Sequence, residues 1–233
     1  MTLSDQLKNA GIKFYHANFL LPDGSRTAFT ENGVDSEPWR QFCCLDQIDY
    51  KNKSVLDVGC WDGAWAFQAE RLGATRVVGL DDASRRMWDI NDNSAWEALH
   101  KAYNSKAMYV HGQVQNLPFD AQSFDIVLCL GLLYHLTDPL TGLNECFRVA
   151  KEYVVVETHA DNSASPTLTL LAPREANPHD PTNVYRLSSG WVKKVAQMNG
   201  FELVRENCYL GHRYSYHFVR KTSVTNLHPA SVK

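Results

Sequence analysis

The stretch "VLDVGCWDGAWAF" (Val55–Phe67) decides how the rest of the chain is read. An apolar run, "SVLDV" (54–58), ends in a glycine-bounded turn, and a helical pattern, "GAWAFQAERLG" (63–73), leaves it. A strand, a tight turn and a helix in that order open a parallel β-α-β unit. In open α/β sheets ligands bind outside the carboxyl ends of such strands, so this turn is the first place to look for a cofactor. Gly59 and Gly63 permit the turn and a close backbone approach, but the spacing is G-x-x-x-G, not the G-x-G-x-x-G of dinucleotide binders.

Downstream the pattern repeats. Strands are predicted at "RVVGLD" (76–81), "AMYVHG" (107–112), "FDIVLCLG" (124–131) and "EYVVVET" (152–158). A long helical stretch running to about Ala102 and a helix over "PLTGLNECFRVA" (139–150) separate them. After His159 the periodicity breaks: "ADNSASPTLTLLAPREANPHDPTNVYRL" is loop-like and rich in proline, asparagine and aspartate. A helix capped by Ser188 or Ser189 and the strands "FELVRE" (201–206) and "YSYHFVR" (214–220) close the pattern. The expected architecture is α/β with three segments. Residues 1–48 form a helix and a hairpin turning at Pro22-Asp23-Gly24. Residues 49–222 form the ligand-binding domain with a lid insertion over 160–187, and 223–233 form a solvated tail.

Composition sets outer limits. The 233 residues suffice for one sizeable core, and 44% hydrophobic with 21% charged residues is ordinary for a soluble globular protein. A net charge of −3 offers no global basic field to a nucleic-acid backbone. No apolar run reaches membrane-spanning length, and the N-terminus lacks the pattern of a secretory signal. The six cysteines form no C-x-x-C pair and fall within apolar patterns, which suggests reduced thiols and a cytoplasmic location. His159 and Asp161 form an H-x-D pair, but no third ligand accompanies them and no metal is expected.

The side chains of the glycine turn narrow the ligand. A phosphate seeks the bare N-terminus of a helix, and Asp62 places a negative charge there. A nucleoside with cationic groups and no phosphate fits better, and S-adenosylmethionine is such a cofactor. Asp62 is also the expected cap of the following helix. Asp81, ending the second strand, is placed to accept ribose hydroxyls. Gln113 and Val114 follow the third strand, where an adenine would lie, and both offer donor and acceptor groups. Trp61 is expected to pack the N-terminal segment over the site or to offer its face to the sulfonium.

The runs "VLDVGCWDG", "VVGLD", "NLPFDAQSFDIVLCLGLLYHLTDP" and "VVVET" together resemble class I S-adenosylmethionine-dependent methyltransferases. That resemblance implies a Rossmann-like seven-stranded sheet with its last strand antiparallel. It implies that Gly59 holds the methionine end, Asp57 orders the loop, Asp81 binds ribose, Gln113 and Val114 hold adenine, and Leu130 or Gly131 borders the sulfonium. "FYHANFLLPDGSRT", "GLLYHLTDPL" and "NVYRLSSGWVKKVAQMNGF" resemble, more narrowly, the tRNA wobble-uridine carboxymethyltransferase-like subgroup. That enzyme's larger N-terminal region is not expected here, and Pro38 precedes Trp39 where a carboxylate-binding lysine would be expected. The expectation is therefore methyl transfer to a small molecule, at oxygen, with no nucleic-acid or membrane partner. An RNA-modifying relative and a non-catalytic cofactor-binding regulator are the alternatives.

Methyl transfer rests on positioning, and a hydroxyl acceptor gains from a general base. His135, Tyr134 and His159 are the candidates for catalysis. Tyr15, His16, Trp39, Arg174, Tyr185 and Arg186 are the candidates for binding the acceptor, with Arg213 weaker.

Overall fold

The computed structural model describes residues 1–28, 33–85, 90–175 and 180–221. The first elements are α1 (Leu3–Asn9), β1 (His16–Ala17), β2 (Val34–Asp35) and α2 (Ser36–Phe42). The central series is β3 (Ser54–Val58), α3 (Ala64–Arg71), β4 (Arg76–Asp81), β5 (Ser84–Arg85), β6 (Ile90–Asn91), α4 (Ser94–Tyr103) and β7 (Met108–His111). Then follow β8 (Phe124–Leu130), α5 (Pro139–Val149), β9 (Ala150–Asp161), β10 (Leu168–Leu170) and β11 (Tyr185–Ser188). The last three are α6 (Ser189–Met198), β12 (Phe201–Tyr209) and β13 (Arg213–Arg220).

The seven expected strands form one sheet in the order β7-β4-β3-β8-β9-β13-β12, and β13 alone runs against the others. Strand residues alternate between two cores. Leu56, Val58, Val78 and Leu80 face α5 and α6, where Phe147, Trp191 and Val195 pack. Val55, Val77, Ile126 and Leu128 face α3 and α4, where Phe67, Trp96 and Leu99 pack. Burial on both faces explains why these strands read as continuous apolar runs. The N-terminal segment completes the second face: Phe14, Phe19 and Leu21 are buried in that core, and Leu3 and Leu7 of α1 lean on it. The hairpin at Pro22-Asp23-Gly24 is present, with Leu21 N–H donating to Ser25 O at 2.8 Å.

Two expectations change. The stretch after β4 is not helical throughout: β5 and β6 pair antiparallel, and helix begins only at Ser94. The Asp92 carboxylate, which accepts from Ser94 N–H at 3.0 Å, stabilises a turn there in competition with helix. The lid insertion is not all loop either. β9 runs on to Asp161, its last residues pair parallel with Leu187 and Ser188 of β11, and β10 pairs antiparallel with β11. The sheet therefore forks at β9: Tyr153–His159 pair with β13, and Ala160 and Asp161 pair with β11. The expected tail lies outside the described residues.

Candidate functional site

Backbone geometry sets the loop after β3. Gly59 (φ +72°) and Gly63 (φ +80°) adopt the left-handed conformation that glycine tolerates best. The Gly59 N–H donates to Leu80 O at 2.8 Å, and Trp61 N–H donates to an Asp81 carboxylate oxygen at 2.8 Å, so the loop is tied to the end of β4. A Cβ on Gly59 would lie 3.1 Å from Leu132, so the backbone here is in close contact with the β8 loop. Asp57 is buried beneath the loop and accepts from Ala66 N–H at 3.1 Å. Burial, offset in part by His16 and the Ala66 N–H, pushes its pKa up from 3.8 to about 7.

That shift has a sign. Between about pH 4 and 7 the folded chain binds the Asp57 proton more tightly than the unfolded chain. The contribution of Asp57 to stability is therefore greatest at low pH and falls as pH rises through that window. Asp57→Asn should flatten that part of the profile, as read from denaturant midpoints between pH 4 and 8. A parallel decline in both proteins would exclude Asp57 as its source.

Asp62 does not cap α3. Gly63 occupies the cap position, and Asp62 offers the helix only a 3.3 Å contact from Ala64 N–H. Its stronger partners lie in the N-terminal segment: His16 N–H donates at 2.8 Å and the His16 ring Nδ1 lies at 2.6 Å. Burial alone would raise the Asp62 pKa, but His16 and these donors hold it below the usual carboxylate value. A buried carboxylate ion thus stands at the start of α3. Trp61 (φ +49°) stacks on Tyr15 with centroids 4.5 Å apart, joining the loop to the same segment.

A cavity of about 300 Å³ opens at the carboxyl ends of β3, β4 and β8. Gly59, Trp61, Asp81, Gln113, Val114 and Leu130 line it. Tyr15, His16, Trp39 and His135 line it from the N-terminal segment and the loop after β8. Asp57 and Gly63 support the loop without lining the cavity. Asp81 accepts from Trp61 and Ala83 N–H groups, both at 2.8 Å, so its carboxylate is fixed in the wall.

Other expected residues lie elsewhere. Arg174 sits on an exposed turn, and Tyr185 and Arg186 belong to β11, where pairing with β10 directs them along the sheet extension. None of the three lines the cavity. His159 packs edge-on against Tyr134 at 4.6 Å and stacks on His212 at 5.5 Å. Burial and the neighbouring Arg213 lower its pKa to about 3, so it stays neutral and is a weak base. Tyr134 is buried behind the wall, its ring under the Arg213 guanidinium at 4.8 Å.

Three residues that the sequence reading passed over or ranked low belong to the wall. Arg213 lies between the Trp39 and Tyr134 rings and forms a two-pronged pair with buried Glu157, at 2.7 and 2.6 Å. Burial alone would pull the guanidinium pKa down, and Glu157 more than offsets it. The available signal was an arginine beginning the apolar strand "RYSYHFVR". Asp180 and Thr182 also line the cavity, and Thr182 fixes His135 through a 2.8 Å contact between its hydroxyl and Nδ1. Among the described residues no group of three His, Cys, Asp or Glu side chains could hold a metal, and no helix is long and apolar enough to cross a membrane.

Comparison with known proteins agrees with this geometry. Residues 56–155 match the family described as "Methyltransferase domain". A tRNA U34 carboxymethyltransferase of Campylobacter hominis is 33% identical over 119 residues, which is 49% of this chain and 39% of that protein. One from Nautilia profundicola is 33% identical over 116 residues, 48% of this chain and 36% of its own length. The chain thus spans well under half the length of these curated relatives. Among solved structures, the N-terminal domain of EvdMO1 with SAH bound superposes with a TM-score of 0.66 at 18% identity, covering 95% of this chain and 98% of that one. Residues 56–155 are thus similar to a methyltransferase domain, and the chain shares the α/β fold of the SAH-bound EvdMO1 domain.

Proposed function

We propose that the protein transfers a methyl group from S-adenosylmethionine to a small-molecule acceptor at oxygen. The observation that carries the cofactor reading is the buried Asp62 carboxylate at the start of α3, which opposes a phosphate where dinucleotide and nucleotide sites require one. The remaining residues fit the same ligand. Asp81 offers a fixed carboxylate to ribose hydroxyls, and Gln113 and Val114 face the adenine end. Gly59, Gly112 and Gly131 leave three points of the cavity wall without side chains.

When bound, the cofactor supplies an electrophilic methyl on sulfur. The chain positions the acceptor against it and excludes water. Tyr15, Trp39 and Trp61 provide an aromatic wall, and Arg213, matched by Glu157, keeps Trp39 and Tyr134 in place. His135, held by Thr182, is the proton acceptor for the hydroxyl.

Isothermal titration tests this reading first: S-adenosylmethionine should bind and NADH should not. Asp81→Ala should weaken cofactor binding by roughly ten- to a hundred-fold, the worth of a charged hydrogen bond of about 1.5–3 kcal/mol. Unchanged affinity would remove Asp81 from the ribose site. A second reading, modification of tRNA, draws on the 33% identity to the Campylobacter hominis enzyme. Retention of tRNA by the folded protein at moderate salt would favour it.

A further inference from the structure

The His16–Asp62 contact does more than fasten the N-terminal segment. Both the backbone N–H and the ring of His16 are fixed on Asp62, and the ring meets Trp65 of α3 edge-on at 4.8 Å. An ionised carboxylate only accepts, so the His16 proton facing Asp62 sits on Nδ1. No hydrogen bond from the described residues reaches Nε2. His16 is only 7% exposed, and it lines the cavity. Nε2 of a largely buried, cavity-lining imidazole thus has no hydrogen-bond partner among the described residues.

Its position indicates the missing partner. Asp81 and Gln113 mark the nucleoside end of the cavity, whereas His16 of β1 is bonded to Asp62, in the loop that runs from Gly59 to Gly63. Beyond its nucleoside the cofactor carries an α-amino-acid group with two opposite charges. Neither charge tolerates burial without hydrogen bonds. The group offers carboxylate acceptors and ammonium donors together, so Nε2 finds a partner there whichever form the ring takes.

We infer that His16 Nε2 binds the charged α-amino-acid end of the cofactor, so that the N-terminal segment is part of the cofactor site. This rests on the S-adenosylmethionine reading above. The test compares S-adenosylhomocysteine with 5′-methylthioadenosine, which lacks the amino-acid end, by isothermal titration of the full chain. His16→Asn keeps an amide where Nδ1 stands, and so the Asp62 contact, but has nothing at Nε2. It should weaken S-adenosylhomocysteine by about 10- to 100-fold and 5′-methylthioadenosine by less than about threefold.

Equal losses for both ligands would reduce His16 to an anchor, and no loss for either would also overturn the inference. If His16→Asn does not fold, His16→Gln supplies the second measurement, since its amide reaches the Nε2 position. It should keep the wild-type preference between the two ligands, and loss of that preference would overturn the assignment. A wild-type protein that does not bind S-adenosylhomocysteine would instead refute the cofactor reading itself.

Discussion

Glu157→Gln should lower the unfolding free energy by about 3–5 kcal/mol, because it leaves the Arg213 cation buried without its counter-charge. Glu157 is fully buried and Arg213 nearly so, and both prongs of the pair are short, at 2.7 and 2.6 Å. Glutamine conserves shape and one acceptor, so the loss isolates the charge. The Trp39 and Tyr134 rings remain on the guanidinium and soften the penalty without removing it. The double variant Glu157→Leu/Arg213→Met should recover most of the loss, since neither charge then has to be desolvated. Urea denaturation of the three proteins checks this. A loss below about 1 kcal/mol for Glu157→Gln would mean that the pair behaves as a solvated surface bridge.

Gly63→Ala should be equally severe for a different reason. At φ +80° a side chain costs about 1–2 kcal/mol from backbone strain alone. The new Cβ would also lie 2.4 Å from Cε3 of Trp96 and 2.6 Å from Cε2 of Phe67, both buried in the core against α3 and α4. Overpacking of this kind adds about 1–3 kcal/mol. Those rings pack against each other at 4.6 Å, so neither yields without displacing its neighbour. The expected result is a thermal midpoint well below wild type, or no cooperative transition, by circular dichroism. A melting curve matching wild type would show that α3 shifts freely at its first turn.

What could be read from the sequence was mostly local. The central strands announce themselves because runs such as Val55–Val58, Val77–Leu80 and Ile126–Leu130 are largely apolar and end at glycine or a charged residue. Gly59, Asp81 and Gln113 follow from their place at strand ends, and the structure sets all three on the cavity. Features made by distant pairings were not legible. Glu157 and Arg213 are 56 residues apart, and His135 and Thr182 are 47 apart. β10 and β11 are short, lie in a proline-rich stretch and exist only by pairing with each other and with the end of β9. Arg174 qualifies by its chemistry alone, which says nothing about direction, and its turn carries it into solvent.

The fork at β9 has an engineering consequence. Ala160 and Asp161 lie beside Leu187 and Ser188 as neighbouring strand residues, so the chain leaves the sheet and rejoins it at almost the same point. Asp180 and Thr182, on the cavity wall, lie between these two paired points, and the described part of the segment is tied as well to the loop after β8, by Val184 N–H donating to Tyr134 O at 2.8 Å. An exchange of this segment would therefore have to carry the loop after β8 with it, because Thr182 holds His135 and Val184 N–H donates to Tyr134 O.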